Sequence, residues 1–284
     1  MLKQRVITAL ILLAILLPAL FYPSPLPFAA LALAMMAAAA WEWGRLNGLG
    51  QGASVALGAI CVTLCASSWT AGWLEQPLTG LWLATGAAWV LGAAALLRAG
   101  VAGWPGVPRG VRVAGGVVAL WLAWLAVAQA RTIGINFLLS VLALVWAADT
   151  FAYFSGRAFG LRFTKGKLAP SISPGKSWEG VWGGMVGVLV LALAWIWLDR
   201  ANAVAVPSFY SVLARAGWLL LPALLFMTAM SVAGDLVESL VKRSAGAKDS
   251  SQLLPGHGGV LDRIDALLPI LPLALMLTRL ASPS

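Results

Sequence analysis

The chain has 284 residues, of which 61% are hydrophobic and 10% are charged, and its mean hydropathy is +0.90. Soluble domains usually carry about 25% charged residues, so this composition excludes a water-soluble globular protein and predicts that lipid surrounds most of the chain. The formal net charge is +9, but the 19 Lys and Arg residues are scattered over short polar stretches and form no basic run. We therefore expect no nucleic-acid partner, and instead expect contacts with anionic lipid headgroups and phosphate-bearing substrates.

Nine apolar segments are long enough to cross a bilayer, whose core needs about 20 residues of helix. They lie at residues 5–22, 26–43, 53–74, 78–97, 111–130, 133–154, 178–198, 209–232 and 266–281. Pro222, Pro269 and Pro272 predict kinks or breaks in the last two. The first segment follows Lys3 and Arg5 as a secretory signal would, but further spans come at once, which favours an uncleaved helix. The predicted fold class is an all-α, polytopic integral membrane protein with about nine transmembrane helices.

The basic residues predict the orientation of the chain. If the N-terminus is cytoplasmic, only Arg131, Arg200, Arg215 and Arg279 fall outside, and the other fifteen Lys and Arg residues fall inside. The positive-inside rule strongly favours this arrangement over its reverse. An odd number of spans then places the C-terminus outside.

The acidic residues predict where the working part of the chain lies. Seven of the ten Asp and Glu residues stand at predicted cytoplasmic helix ends in the second half, namely Asp149, Glu179, Asp235, Glu238, Asp249, Asp262 and Asp265. We interpret residues 1–132 as N-terminal transmembrane scaffold helices. Residues 133–284 are interpreted as a C-terminal transmembrane catalytic region with cytoplasmic polar loops.

The first polar segment, residues 149–180, begins with a carboxylate at the end of a span and continues with glycines and basic residues. The positive-inside rule alone would explain a basic loop, but it does not explain why Ser173 and Lys176 lead directly into a helix. Ser177 fits the N-cap of that helix. Free backbone N–H groups at a helix N-terminus, flanked by Lys and Ser, typically bind phosphate. The segment therefore favours phosphate or nucleotide contact over a plain loop.

The second polar segment, residues 231–265, begins with four polar side chains on one helical face. Asp235, Glu238, Ser239 and Lys242 are spaced i, i+3, i+4 and i+7. Their helix continues from an apolar span, so the face lies at or below the membrane surface, where uncompensated carboxylates are costly and usually functional. The structural alternative is an internal ion-pair network with Lys242 and Arg243.

The same segment continues with LPGHGG, residues 254–259, which cannot sustain a helix and whose glycines allow close approach to a ligand. Asp262 and Asp265 then return to one helical face. Carboxylates that converge from two helices suit a hard cation such as Mg²⁺, whereas zinc would need more nitrogen and sulfur ligands than this segment offers. His257, the single histidine, fits either a structural role or a ligand contact. Together these features indicate phosphoryl or nucleotidyl transfer to or from a lipid.

The second segment also resembles a known family. Between Ser239 and Asp265, the pattern Ser, Lys-Arg, Lys-Asp, Leu-Pro, His-Gly-Gly, Asp-Arg and Asp is similar to the signature of phosphatidate cytidylyltransferases, also called CDP-diacylglycerol synthases. The first segment resembles the same family at Asp149, Thr150, Tyr153, Gly156, Arg157, Gly160, Lys167, Leu168, Pro170, Ile172, Ser173, Pro174 and Lys176. Ser177 departs slightly, because the family more often has Thr there. The resemblance covers about residues 149–265 and is only compositional in the N-terminal half.

The resemblance implies a reaction and a set of roles. The reaction joins CTP and phosphatidate to give CDP-diacylglycerol and pyrophosphate, with the lipid bilayer holding the acyl chains. It implies Mg²⁺, with K⁺ as a candidate second cation, and metal binding by Asp235, Asp262 and Asp265. The implied catalytic residues are Lys242, Arg243, Lys248, Asp249 and Arg263. The implied substrate-binding residues are Asp149, Arg157, Lys167, Ser173, Lys176, Ser239 and His257.

Two other classes of function remain open at this point. A related lipid or polyprenol kinase would transfer the γ-phosphate of the nucleotide, whereas a CDP-alcohol phosphotransferase would need an Asp-Gly, Ala-Arg, Gly, Asp, Asp array that is not found. An ion-coupled transporter would place its carboxylates near the bilayer midplane, but these gather at helix ends. The expected location is the bacterial inner membrane with the active site facing the cytoplasm. The sequence leaves the oligomeric state open, a homodimer included.

Overall fold

The computed structural model describes residues 2–281, apart from the side chains of Leu2, Lys3 and Arg5. The interpretation of Lys3 and Arg5 as cytoplasmic anchors therefore falls on side chains outside the described set. The first half of the chain forms α1 (Leu2–Phe21), α2 (Leu26–Leu46), α3 (Gln51–Thr70), α4 (Thr79–Gly103), α5 (Arg109–Ile133) and α6 (Ile135–Phe159). The second half forms β1 (Lys167–Ala169), β2 (Ser173–Ser177), α7 (Trp178–Ala201), α8 (Phe209–Arg215), α9 (Leu220–Ser244), α10 (Leu261–Ile264) and α11 (Leu267–Ala281).

Eight helical stretches are long and apolar enough to cross a membrane, and α1 contributes a shorter apolar stretch, Val6–Phe21. The eight are Leu26–Leu46, Gln51–Thr70, Thr79–Gly106, Arg109–Ile133, Ile135–Phe159, Trp178–Ala201, Gly217–Ser244 and Leu261–Ala281. These helices correspond one to one with the nine predicted segments. The prediction of an all-α, polytopic membrane protein is confirmed.

The last two spans differ from the predicted boundaries. The segment predicted at 209–232 is divided, because α8 ends at Arg215 and Gly217 takes a positive φ of 59° before the long helix begins. That long helix continues to Ser244, so it carries the whole polar face predicted for the second segment. A second break separates α10 from α11. Both breaks lie a few residues before a proline, Pro222 or Pro269, and a proline is tolerated in the first turn of a helix because its missing N–H is not needed there.

The connections between spans lie alternately at two ends of the helix bundle. At one end, called the polar end below, Thr8 Oγ1 donates to the carbonyl of Pro255 (2.9 Å) and the Trp43 indole donates to the carbonyl of Arg112 (3.0 Å). This end gathers residues 47–50, 104–108, 160–177 and 245–260. At the far end, Arg131 Nε donates to the carbonyl of Leu20 (3.0 Å). The membrane face on which the polar end lies stays a prediction.

Helices α6 and α7 pack closely because glycines line the α7 surface. A Cβ on Gly184 would come within 2.9 Å of the Ala148 carbonyl oxygen, and one on Gly180 would come within 3.0 Å of that of Ala152. Small residues let two backbones approach in this way, which favours van der Waals packing where lipid supplies no hydrophobic driving force. The contact fixes the first turns of α7 against the second half of α6, which carries Asp149.

Gly184 allows a direct test of this packing. Gly184→Leu should lower the thermal midpoint of the purified protein in detergent, since overpacking typically costs about 1–3 kcal/mol. Gly80→Leu is the matched control, because a Cβ on Gly80 would meet nothing within 4 Å. Equal midpoints for the two variants would contradict the close α6–α7 contact.

A short β-hairpin precedes α7, where the sequence predicted only a loop. Strand β1 pairs antiparallel with β2, with Lys167 opposite Ser177 and Ala169 opposite Ser173. The turn is closed by the Ile172 N–H, which donates to the Ala169 carbonyl (3.1 Å). The Ile172 side chain is buried, so it anchors the hairpin in the bundle. The hairpin thereby holds the basic first segment over the polar end.

Candidate active site

The two polar segments identified in the sequence meet at the polar end. Lys176 Nζ, in strand β2, lies 2.6 Å from Asp235 Oδ2 on α9. Arg243 Nε, near the end of α9, donates to the carbonyl of Ile172 in the hairpin (3.4 Å). An ion pair and a hydrogen bond thus join residues that lie 59 and 71 positions apart in the sequence. The site is therefore built from the hairpin, α6, α9 and the loop before α10.

The predicted polar face of α9 is confirmed. Ser239 Oγ donates to Asp235 Oδ1 (3.2 Å), and Lys242 Nζ lies 2.5 Å from Glu238 Oε2, one turn away. Lys242 Nζ also lies 2.6 Å from Asp262 Oδ1. The ion-pair alternative considered for this face therefore holds for Lys242, though not for Arg243, which pairs with no carboxylate among the described residues. Lys242 links α9 to α10, and its direct catalytic role stays a prediction.

Asp262 organises the loop that precedes α10. Its carboxylate accepts hydrogen bonds from the backbone N–H of Gly259 (2.7 Å) and from the N–H and hydroxyl of Ser250 (both 2.9 Å). Gly258 has a φ of 81°, and a Cβ there would come within 2.7 Å of Asp262 Oδ2. This explains one glycine of the His-Gly-Gly motif, because a side chain would be both strained and too close to Asp262.

The N-terminal half contributes a second carboxylate to the same loop. Glu42, on α2, is fully buried. It accepts hydrogen bonds from the backbone N–H of Val260 (2.9 Å) and Leu261 (2.7 Å). It also accepts bonds from the hydroxyls of Ser250 (3.1 Å) and Ser251. The scaffold and the second polar segment are therefore joined by hydrogen bonds as well as by apolar packing.

Three carboxylates from different elements gather beside these contacts. The charges of Asp149 on α6, Asp235 on α9 and Asp265 after α10 repel one another. Lys176 compensates Asp235, and Asp265 has no ion-pair partner among the described residues. A surplus of carboxylate charge of this kind fits a hard cation in chemistry.

The residues predicted to bind a metal have suitable side chains for a hard cation, but their positions do not form a complete site. Within residues 2–281, no group of three or more His, Cys, Asp or Glu side chains is placed to hold a metal ion. Asp262, which the sequence assigned to the metal, is already engaged by Lys242, Ser250 and Gly259. Asp235 is likewise paired with Lys176, whereas Asp265 has no ion-pair partner among the described residues. Magnesium binding by Asp235, Asp262 and Asp265 stays a prediction.

The first polar segment has the local structure that the sequence predicted at its end. Ser177 is the N-cap of α7, with its hydroxyl accepting the Gly180 N–H (3.2 Å). Glu179 is buried and accepts the N–H of Phe163 (3.1 Å) and of Thr164 (2.8 Å). Glu179 therefore holds the loop before the hairpin against α7.

The other predicted site residues lie around this centre with few internal partners. Arg157 donates to the Tyr153 hydroxyl (3.2 Å), and Lys167 donates to the Pro174 carbonyl (2.5 Å). His257 is half-buried, and its Nδ1 has no hydrogen-bond partner in the described part of the chain. Ser173 is half-buried, whereas the remaining charged residues are exposed, namely Arg243, Lys248, Asp249 and Arg263. The three exposed cations, Arg243, Lys248 and Arg263, are available to an anionic ligand.

Two cavities adjoin the site. One, of about 470 Å³, is almost wholly apolar and lies between α2, α4, α5, α9 and α11, where it reaches Gly234 and Glu238. The other, of about 570 Å³, has a wall that is about equally polar and apolar, and it lies between the end of α2 and residues 245–252, with Arg45 and Lys248 in its wall. An apolar cavity and a mixed, charged cavity therefore flank the carboxylates and cations at the polar end.

Comparison with known proteins agrees with this arrangement. Residues 3–281 match the model of the cytidylyltransferase family. The chain belongs to the cytidylyltransferase family. A phosphatidate cytidylyltransferase of Pseudomonas aeruginosa is 41% identical over 277 residues, which cover 96% of this chain and 95% of that protein. The resemblance found at residues 149–265 is thus confirmed, and it extends over the N-terminal half.

Other relatives match a shorter part of this cytidylyltransferase-family chain. A phosphatidate cytidylyltransferase of Haemophilus influenzae is 52% identical over 139 residues, which cover 49% of this chain and 44% of that protein. One of Staphylococcus aureus is 39% identical over 145 residues, covering 51% of this chain and 50% of its own. These matches cover about half of each chain.

Sequence reasoning on this cytidylyltransferase-family chain missed Glu42. The signal was present, because Glu42 and Glu75 are the only acidic residues before Asp149, and Glu42 stands in an apolar helix. A carboxylate inside a predicted span is costly and marks a functional site by default. The same rule applies to α2 as to α9, although α2 carries no part of the family motif.

Proposed function

We propose that the chain transfers the cytidylyl group of CTP to phosphatidate, with CDP-diacylglycerol and pyrophosphate as products. The observation that carries the proposal is the 41% identity, over nearly the full length of both chains, to a protein named phosphatidate cytidylyltransferase. The meeting of the two polar segments through Lys176 and Asp235 supports it, because it places cations and carboxylates together at one end of a lipid-embedded bundle.

The chemistry requires little proton transfer. A phosphate oxygen of phosphatidate attacks the α-phosphorus of CTP, a new P–O bond forms, and the bond from the α-phosphorus to the bridging oxygen breaks, so that the electron pair leaves with pyrophosphate. A phosphomonoester has a second pKa of about 6, so the attacking oxygen is already ionised near neutral pH. The barrier lies in bringing two polyanions together and in stabilising the leaving charge.

Basic residues would lower that barrier by neutralising phosphate charge. We assign the exposed Lys167 and the half-buried Lys176 of the first segment to the nucleotide phosphates, and Arg243 and Lys248 to the lipid headgroup. Arg263 is also exposed and belongs to the same set of cations. The apolar cavity beside Glu238 fits acyl chains that enter laterally from the bilayer, since its wall is formed almost entirely by apolar side chains.

A divalent cation forms part of the proposal. Asp235 and Asp265 would hold it, with Asp149 close enough to interact with their charges. When bound, Mg²⁺ would neutralise and orient the phosphates of the two substrates. Asp262 and Lys242 would then support the site through their ion pair. K⁺ as a second cation belongs to the same proposal.

The proposal also includes a location and an assembly. The enzyme would lie in the bacterial inner membrane with the polar end facing the cytoplasm, where CTP is available. The orientation is testable by labelling single cysteines placed in the 245–260 loop of intact cells with a membrane-impermeant reagent. A homodimer is the assembly to test, by light scattering of the purified protein in detergent.

A labelling experiment tests the reaction. Purified protein in detergent, with phosphatidate and Mg²⁺, should move label from α-³²P-CTP into the lipid fraction and release pyrophosphate. No lipid label should come from γ-³²P-CTP. Chelation of divalent cations with EDTA should stop turnover, and Mg²⁺ should restore it.

The alternative functions give different results in the same assay. A lipid kinase would label the lipid from γ-³²P-CTP alone. A transporter would show no pyrophosphate release, because detergent leaves no sealed compartment across which to move a solute. Either result would contradict the proposed function.

A further inference from the structure

Glu42 is a buried carboxylate that the reaction chemistry does not use directly. It lies on α2, near the polar end of the N-terminal half, and none of its surface is exposed. No Lys, Arg or His pairs with it among the described residues. Burying a carboxylate without a cation costs desolvation free energy, so hydrogen-bond donors must offset that cost.

All four hydrogen bonds of Glu42 come from the loop that precedes α10. Its Oε1 accepts from the N–H of Val260 (2.9 Å) and from the hydroxyl of Ser251, and its Oε2 accepts from the N–H of Leu261 (2.7 Å) and the hydroxyl of Ser250 (3.1 Å). The donors lie at the two ends of residues 250–261, which are called the 250–261 loop below and which include the first residue of α10. One carboxylate therefore fastens both ends of the 250–261 loop to α2.

The same loop end is shared with Asp262. The Ser250 hydroxyl lies 3.1 Å from Glu42 Oε2 and 2.9 Å from Asp262 Oδ2, so one hydroxyl hydrogen is offered to two carboxylates. Asp262 in turn holds Lys242 at 2.6 Å. A path of direct contacts thus runs from the scaffold helix through Ser250 to the ion pair beside α9.

The second glycine of the His-Gly-Gly motif is explained by this arrangement. A Cβ on Gly259 would come within 2.4 Å of Glu42 Oε1 and within 2.1 Å of Ser250 Oγ. Gly258 makes room for Asp262, and Gly259 makes room for Glu42. The loop sequence is therefore fitted to a carboxylate from each half of the chain.

We propose that Glu42 is a positioning residue, which holds the 250–261 loop in the geometry that places Asp262 and Lys242 for the transfer reaction. The inference rests on the proposed function, since it concerns the geometry of that site. It assigns to the N-terminal half a defined part in catalysis, where the sequence predicted a scaffold alone. Glu42 touches neither substrate in this account, and it acts through the loop.

A Gln at this position is a sharp probe. All four partners of Glu42 are donors, so one end of a Gln side chain would present an NH₂ group to donors and leave at least one backbone N–H without an acceptor. The size and shape of the side chain hardly change. The variant therefore removes the fastening of the loop without opening a cavity.

Asp199 provides a matched control. It is also a buried carboxylate, and it accepts from the N–H and hydroxyl of Ser208 (2.9 and 2.6 Å), the Ser211 hydroxyl (2.6 Å) and the Asn136 amide (2.9 Å). Its bonds hold the connection between α7 and α8 at the far end. Asp199→Asn thus makes the same chemical change to an equally satisfied carboxylate, away from the site.

The experiment compares Glu42→Gln with Asp199→Asn in the purified full-length protein, using CTP, phosphatidate and Mg²⁺. Both should lower the thermal midpoint. Only Glu42→Gln should lower kcat, by about 100-fold, because displacements of about 1 Å can cost that much. Its KM for CTP should change less than about threefold, since the nucleotide is assigned to the hairpin.

A double variant tests whether Glu42 and Ser250 act through the same contacts. The fold loss of kcat in Glu42→Gln combined with Ser250→Ala should be smaller than the product of the two single losses, because both variants disturb the same path.

The outcomes separate the possibilities. A wild-type kcat for Glu42→Gln, or equal losses of kcat in Glu42→Gln and Asp199→Asn, would overturn the positioning role. If Glu42→Gln does not yield folded protein, Ser251→Ala decides instead. It removes one of the four bonds and should lower kcat about threefold to tenfold, and an unchanged kcat would overturn the inference. An inactive wild type would refute the proposed function itself, whereas an active wild type with an unaffected Glu42 variant refutes only the inference.

Discussion

Asp262→Asn should reduce CTP-dependent formation of the lipid product by at least about 100-fold, a loss of the size seen when one preorganised polar group is removed from an active site. Asp262 receives the Lys242 ammonium at 2.6 Å and the Gly259 N–H at 2.7 Å. An Asn loses the charge that holds Lys242, and its NH₂ group would face donors. The expected defect is in kcat, measured with purified protein at saturating CTP and phosphatidate.

Glu75→Gln is the control for this charge removal. Glu75 is exposed, and it lies in the connection between α3 and α4 at the far end. The control variant should keep wild-type turnover, and both variants should be produced and inserted in normal amounts. Near-normal turnover by Asp262→Asn would contradict the central role given to this carboxylate.

Turnover should require the Lys176–Asp235 ion pair, with the cation at position 176 and the carboxylate at position 235. Asp235→Asn and Lys176→Met should each lower turnover by about 100-fold or more, because each leaves the partner charge uncompensated in a partly buried site. The exchange Lys176→Asp with Asp235→Lys restores the attraction between the two positions. It should restore part of the thermal midpoint but none of the activity, since it moves the carboxylate away from Asp265 and the cation away from the hairpin.

The exchanged variant distinguishes a purely structural ion pair from one whose residues take part in the reaction. If the pair merely joins the hairpin to α9, the exchange should recover activity together with stability. Full recovery of turnover would therefore show that the pair is structural and that Asp235 holds no metal. The measurements needed are the thermal midpoint in detergent and the initial rate at saturating substrates.

Features set by neighbouring residues in the sequence were predictable, whereas features set by contacts between distant helices were not. A span is predicted from its own residues, since about 20 apolar positions in a row suffice to make a helix stable in lipid. The all-α polytopic fold was therefore predictable, as was the polar face of α9, whose spacing follows from the helix period alone. The Ser177 N-cap is equally local, because its bond reaches only to Gly180.

The boundaries of the last two spans were not predictable in the same way. The stretch 209–232 is mostly apolar, with Arg215 as its only charged residue, and average hydropathy does not distinguish α8 from the start of the next span. The start of α8 is fixed by Ser208, whose N–H and hydroxyl donate to Asp199 on α7. The division itself falls at Gly217, where the backbone takes a positive φ of 59° between α8 and the long helix. A contact with another helix therefore decides where α8 begins, and a local turn decides where it ends.

The sequence by itself determined that the chain lies in lipid, that its chemistry is concentrated in two polar segments, and which family those segments resemble. Only the tertiary structure decided the partner of each carboxylate: Asp262 holds Lys242 and the loop, and Asp235 pairs with Lys176. It alone also brought Glu42 to a loop more than 200 residues away. The physical reason is that a buried carboxylate must find donors wherever the packed helices supply them, and the sequence does not show which helices pack together.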